Sequence, residues 1–263
     1  MTHRLAVVFA HPDDDAYGLG GTIALEAGDL ELTVILATSG EAGQISDPSL
    51  ASPENLGEVR EAEERAALAE FGMPDATVHF LRYPDGGLTR VDRAELVDRV
   101  TELLKGARPQ VVVTFGPEGV TKHDDHITTG QAATEAFHRA RAGGDPGDAF
   151  QALYYNSIPQ SGIDEFWNVI REAGVDIGNP DDPFMPRGVP DETIAVRVDG
   201  RSVMDRKLAG IKAHRTQWAE FGMMPAEMQE RFLREETFVQ AWPPVTEPGG
   251  PPRGSLFEDL TAE

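Results

Sequence analysis

The sequence predicts an α/β protein: a Rossmann-like, mostly parallel sheet flanked by helices, followed by a smaller irregular C-terminal part. Three observations carry this. Short apolar runs rich in β-branched residues stand at 5–10, 32–37, 77–81 and 111–115, and such runs read as strands buried on both faces. Helical patterns separate them, which calls for parallel βαβ units with right-handed crossovers. The 263 residues are enough for one sizeable core. We take the chain as a single domain over 1–263, with its core over 1–142, a substrate-side part over 150–242 and a tail over 243–263.

The first strand ends in Ala10-His11-Pro12-Asp13-Asp14-Asp15, and Gly20-Gly21-Thr22 opens a helix through Ala27. Residues 53–71 form a long helix, charged on one side and Ala/Leu-bearing on the other. Leu96, Val100, Leu103 and Leu104 at helical spacing place another helix over 91–107, and an Ala-rich one covers 127–142. Gly and Pro make 142–148 a loop. Further strands are expected at 152–155 and 193–198, and helices at 203–221 and 225–235. An exposed Asp/Pro-rich loop, a lid or an oligomer contact, is expected at 179–190. The Pro/Gly-rich stretch 243–254 is expected to be extended or weakly ordered.

Acidic residues number 45 against 23 basic ones, a net charge of −22. Nucleic acid and anionic membrane both require basic patches, so neither is expected as a partner. The same charge attracts cations. The chain has no cysteine, which excludes disulfides and thiolate metal sites and leaves imidazole and carboxylate as ligands. That absence fits a reducing cytoplasm. No signal peptide or spanning run is visible, so a cytoplasmic protein is expected.

Open α/β sheets bind ligands at the carboxyl ends of their strands. His11 and Asp14 stand at such an end and are able to share one metal ion, Pro12 stiffening the loop between them and Asp13 remaining as a base. A solvated acidic turn capping the next helix is the plainer alternative. Gly18, Gly20 and Gly21 do not complete a dinucleotide fingerprint, because Ile23 stands where the third Gly or Ala belongs. A second cluster, His123-Asp124-Asp125-His126, follows the strand at 111–115. Its two histidines are three apart, neighbours on one helical turn. A catalytic zinc site takes three protein ligands and keeps one position open. His11, Asp14 and one histidine of this pair make such a set, and the other histidine is left as an acid or an oxyanion donor. Asp125 would orient one imidazole through its second nitrogen. The two clusters together point to a mononuclear metal site that activates water.

With other residues in the same order, these resemble the LmbE/PIG-L family of zinc-dependent N-deacetylases. That family includes deacetylases of N-acetylglucosaminyl conjugates in mycothiol and bacillithiol synthesis. The resemblance covers 5–217 and rests on Ala10-His11-Pro12-Asp13-Asp14, Gly20-Gly21-Thr22, Thr38-Ser39-Gly40-Glu41-Ala42-Gly43, and Arg60 with Glu63. It continues through Tyr83-Pro84-Asp85-Gly86-Gly87-Leu88, Thr114-Phe115-Gly116-Pro117, the cluster at 123–126, and Lys207 to His214-Arg215-Thr216-Gln217.

The resemblance implies that His11, Asp14 and His126 are the metal ligands, for Zn2+ with Fe2+ as the alternative ion. It implies Asp13 as general base and His123 as the residue that stabilises or protonates the reacting centre. Arg60 and Asp85 would contact the sugar or the acyl group, with Glu41 and His214 as further candidates for the same pocket. The implied reaction removes an N-acetyl group from a small N-acetylglucosamine-type conjugate, giving acetate and a free amine. Relatives often associate, which implies a homo-oligomer. A metallo-amidase acting on a non-acetyl amide and a non-catalytic sugar- or metal-binding homologue are the alternatives; Asp13 and His123 argue against the last, because binding alone needs neither. Plainer readings make Arg60 a surface ion-pair partner, Asp85 a turn former and His214 a packed helix residue. The chain departs from the family pattern at Asp15, usually Glu, and at Asp124, often Pro. Thr121 stands near the place where some members have Tyr.

Overall fold

The computed structural model describes residues 2–45, 47–144, 146–172, 174, 179–180, 185–245 and 249–260. In chain order the elements are β1 (His3–Phe9), α1 (Asp14–Glu26), β2 (Leu30–Leu36), α2 (Leu56–Glu70), β3 (Thr77–Phe80), α3 (Arg93–Ala107), β4 (Val111–Phe115), the one-turn α4 (Gly119–Lys122), α5 (Asp124–Ala142) and β5 (Ala152–Asn156). There follow β6 (Ile158–Pro159), α6 (Gln160–Glu172), β7 (Gly188–Val189), β8 (Ile194–Asp199), α7 (Met204–Ala213), α8 (Trp218–Gly222), α9 (Ala226–Leu233) and β9 (Glu235–Trp242).

The main sheet runs β3-β2-β1-β4-β5-β9-β8. Its first five strands are parallel, and β9 and β8 extend it antiparallel from β5. Along β1, Leu5, Val7 and Phe9 pack with Leu19, Leu68 and Ile211 on one face. Ala6 and Val8 pack with Val100 and Phe137 on the other. With helices on both faces, β1 has no polar alternation, as a central parallel strand requires. Strand order turns back between β1 and β4, so the loops after these two strands share the crevice where α/β sheets bind ligands. No helix among the described residues is long and apolar enough to cross a membrane.

Several boundaries differ from the sequence expectation. The first helix starts at Asp14 rather than at Gly20, because Asp13 turns the chain in a left-handed conformation (φ 106°, ψ −24°) straight from the strand end into the helix. Gly21 then lies inside α1, where a Cβ would sit 2.9 Å from the Glu236 carboxylate. The helix expected from 127 begins at Asp124, capped by the His123 ring. The helix expected over 203–221 is two, α7 and α8, separated by a turn in which Glu63 accepts bonds from the Thr216 amide and hydroxyl at 3.0 and 2.6 Å. Two elements lie outside the sequence expectation: helix α6, although its Ile163, Phe166, Trp167 and Ile170 recur at helical spacing, and strand β9. In β9 the buried faces carry Glu236 and Thr237 as well as Phe238, which masks the alternation. The tail is not simply extended: Arg253 bridges to Val196, and Leu256 and Phe257 are buried in the core. Within the loop expected at 179–190, Gly188–Val189 pairs with β6, while 181–184 lie outside the described residues, as do Asp145 of the loop at 142–148 and 246–248 of the tail.

Candidate metal centre

The loop after β1 is built to present carboxylates. Asp14 opens α1 and folds back, its Oδ2 accepting from the His11 amide at 2.8 Å and the Ala10 amide at 3.2 Å. Its other oxygen, Oδ1, faces His126 Nε2 at 3.4 Å, and His11 Nδ1 lies 3.6 Å from Oδ2. Donor atoms about 2.0–2.1 Å from one tetrahedral ion lie roughly 3.3 Å from each other, so these separations suit a shared cation. Potential donor atoms of His11, Asp14 and His126 all lie within 4.8 Å of one another, and a second such group joins His11, His123 and Asp125.

Backbone contacts separate the two histidines of the second cluster. His126 Nδ1 lies 2.9 Å from the Gly119 carbonyl. A carbonyl only accepts, so Nδ1 carries the proton and Nε2 keeps a lone pair toward Asp14. His123 Nδ1 instead accepts from the Asp125 amide at 3.1 Å, which leaves the proton of a neutral ring on Nε2. The two neighbouring imidazoles thereby present different Nε2 atoms, His126 a lone pair and His123 an N–H.

The charges agree with a cation site. Burial works to depress the His11 ring, but the carboxylates of Asp125, Asp14 and Asp85 outweigh it and raise the ring well above the ordinary imidazole range. His11 Nε2 lies 3.1 Å from Asp85 and 3.6 Å from Asp125, yet forms no well-aligned hydrogen bond. Three carboxylates around one buried imidazole favour positive charge at this point, whether as a proton or as a metal ion. Burial also works to raise Asp14, but His126 and His11 hold it well below the usual carboxylate range. His123 is lowered by burial and by the charges of His11 and His126.

Asp13 is lifted to about 6 by burial, against the pull of the Arg60 guanidinium 3.3 Å away. Arg60 is 4 % exposed, so the reading of it as a surface ion-pair partner is not met. Its guanidinium donates to the carbonyls of Gly40 and Pro12. Gly40 has φ 66°, and any Cβ there would run into that guanidinium. Asp85 is more than a turn former: its carboxylate accepts from the Ala42 amide at 2.9 Å and reaches His11. Glu41 is exposed and accepts from the Asp85 amide at 2.8 Å. Asp125 accepts from the Gly86 and Leu88 amides at 2.7 and 3.0 Å, which fixes the loop carrying Asp85.

His214 is 1 % exposed and faces Glu64, 3.9 Å away, with Arg60 and Asp14 near enough for their charges to act on it. Asp15 and Glu64 are also buried, and the side-chain polar atoms of all three lack hydrogen-bond partners. Burial, with the charges of Asp14 and Asp13, pushes Asp15 up to about 7, and burial with Asp15 lifts Glu64 well above its usual range. Sequence reasoning missed Glu64, although Arg60, Glu64, Ala67, Leu68 and Phe71 share one helical stripe; charge within an apolar stripe was the available signal. It also missed the buried Lys207–Glu236 pair, 2.7 Å apart, in which Glu236 accepts from the amides of Gly21 and Thr22 and ties β9 to α1.

A family profile described as GlcNAc-PI de-N-acetylase matches residues 6–137 of the chain. The chain belongs to the PIG-L family. A relative in this family from Acidothermus cellulolyticus, named 1D-myo-inositol 2-acetamido-2-deoxy-alpha-D-glucopyranoside deacetylase, is 31 % identical over 247 residues, 84 % of this chain and 82 % of its own length. Among solved structures, a conserved protein of Thermus thermophilus superposes with a TM-score of 0.61 at 24 % identity, covering 94 % of this chain and 98 % of that one. N,N'-diacetylchitobiose deacetylase of Pyrococcus horikoshii superposes with a TM-score of 0.60 at 22 % identity, covering 90 % and 83 %. These two likenesses show a shared fold across nearly the whole chain. A cavity of about 1100 Å³ near Trp242 holds none of the candidate site residues, whereas one of about 580 Å³ opens at Asp14 and His126.

Proposed function

We propose that this chain is a metal-dependent hydrolase that removes the acetyl group from an N-acetylglucosamine-type conjugate, releasing acetate and a free amine. The observation that carries the reading is the meeting of His11, Asp14 and His126 with Asp13 and His123 at the turn-back of the sheet. Similarity to a sugar-conjugate deacetylase along most of the chain supports the substrate class. His11, Asp14 and His126 would hold the ion, with zinc favoured by the imidazole–carboxylate set and iron(II) also compatible. The chemistry such an ion supplies when bound is polarisation of a carbonyl and acidification of a water.

Asp13, poised near neutrality, takes a proton from the attacking water. Arg60 holds that carboxylate in place. The His123 Nε2–H donates toward the oxygen on which negative charge develops, an interaction that is worth most in a site shielded from water. Asp13 then passes its proton to the nitrogen as the C–N bond breaks, so water and amide become acid and amine. To Asp85 and Glu41, joined through the Asp85 amide, we assign contact with the sugar hydroxyls; His214 is 1 % exposed. We read the chain as one domain working on a small molecule in the cytoplasm, and as a homo-oligomer.

The test is release of amine from a panel of N-acetylglucosaminides by zinc-loaded and chelator-treated protein. Release that depends on the ion is expected. No release from any member, with one ion still bound per chain, would overturn the reading.

A further inference from the structure

We propose that the conjugate bears an apolar aglycone, alkyl or aryl, seated in the aromatic cavity beside His126 and Asp14; this rests on the deacetylase reading above. The cavity holds about 580 Å³ and is walled by Tyr17, Phe115, Ile158, Ile163, Phe166 and Phe232. Its inner wall begins at the candidate centre itself, where Phe115 stacks on the His126 ring at 4.1 Å between centroids. Tyr17 closes edge-on against Phe221 at 5.4 Å, and Phe166 packs on Phe232 at 4.9 Å. The rim arginines are each set against a glutamate: Arg197 and Arg234 beside Glu235, and Arg231 beside Glu165. A cavity of this size, largely apolar within and with its arginines held in ion pairs, suits uncharged apolar matter. One side of its mouth is the loop with Val120 at φ 60°, ψ −48°, a conformation that a β-branched residue adopts only when its surroundings enforce it.

The occupant follows from sugar chemistry. An acetyl methyl fills a small fraction of this volume. In a 2-acetamido sugar the amide stands on C2 and the aglycone leaves from C1, the adjacent carbon. With the amide carbonyl at the centre, the C1 substituent therefore starts beside it. Asp85, Glu41 and Arg60 form no part of this cavity, so the polar groups are left to the sugar and the aromatic wall to what C1 carries. A bare polyol at C1 would desolvate hydroxyls against a wall that is mostly ring and aliphatic carbon, with Asn156, Ser157 and Ser161 among its few uncharged polar side chains.

The experiment compares acetate release from the methyl, octyl, phenyl and myo-inositol 1-glycosides of N-acetylglucosamine by the zinc-loaded chain. Burial of one methylene is worth about 0.8 kcal/mol, about fourfold in affinity. The octyl glycoside should exceed the methyl glycoside in kcat/KM by at least about tenfold with only two methylenes buried. Calorimetric binding to Asp13→Asn should follow the same order. Ile158→Trp, which fills the cavity, and Phe166→Ala, which removes one wall, should each lower the octyl-to-methyl ratio. A methyl or inositol glycoside handled as well as the octyl one overturns the proposal. So does a gain seen only when the N-acyl group of the methyl glycoside is lengthened, which assigns the cavity to the acyl side. Absence of acetate release from every glycoside fails the deacetylase reading instead, and the calorimetric ratio then still decides the cavity.

Discussion

Two clusters of carboxylate and imidazole meet at the first turn of α1, and they are made of the same residue types. One joins His11, Asp14 and His126, with Asp13 beside them; the other joins Asp15, Glu64 and His214. In the first, backbone amides hold one oxygen of Asp14, a carbonyl fixes the His126 tautomer, and Arg60 faces Asp13. In the second the polar side-chain atoms have no hydrogen-bond partner, and burial drives each group toward its neutral form. Asp13, Asp14 and Asp15 are consecutive, yet one is raised to about 6, one is held low and one is pushed up to about 7. Residue type supplies the chemistry available, and partners decide which part of it is used.

The sharpest way to break this contrast is to remove a ligand. His126→Ala should lose the ion and lower turnover by about 10³-fold or more, several kcal/mol of transition-state stabilisation. Metal content measured alongside rate checks this, and full occupancy in the variant would move the ligand position to His123. Next in size is Asp13→Asn, which should keep the ion and lose about 10²–10⁴-fold in kcat. Turnover near that of the parent would exclude Asp13 as the base.

The buried cluster should show itself in stability rather than rate. Burial, then the charge of Arg60, lowers His214 from 6.5 to about 3. Between those pH values the unfolded chain binds a proton that the folded chain refuses, so stability from this residue is complete above pH 6.5 and is lost as pH falls toward 3. His214→Gln should flatten urea-unfolding stability against pH over that window; an unaltered slope would contradict the neutral buried ring. The smallest effect is expected of Glu64→Gln. Glu64 is raised in the folded chain, so its contribution is full below its ordinary value of 4.5 and is lost as pH rises through the folded one. The amide should remove that loss while turnover stays within about threefold, on the scale of a mutation that touches no reacting group. A large fall in turnover would join the two clusters into one functional unit.

Much of the centre was legible because its signals are local. A β-branched run ending in His-Pro-Asp-Asp, and a second ending near His-Asp-Asp-His, place both clusters at strand ends without any knowledge of contacts. Arg60 and His214 were less legible: Arg60 stands on the apolar stripe of α2, but its charge favours a surface reading, and His214 stands just past the end of α7, where spacing says little about burial. Strand β9 was hidden for the same reason, since Glu236 is inward and its partners, Lys207 and the amides of Gly21 and Thr22, lie far away in sequence.

The sequence by itself determined the alternation of strand and helix, the parallel core, the cation-attracting composition and the residue types gathered at the carboxyl ends of β1 and β4, because periodicity and charge are properties of neighbouring residues. Only the tertiary structure decided the burial and the partners of each of three successive aspartates, which histidine keeps its lone pair, and that an aromatic cavity opens beside them. Those outcomes depend on desolvation and on hydrogen bonds between segments up to about two hundred residues apart, and such contacts exist only once the chain has folded.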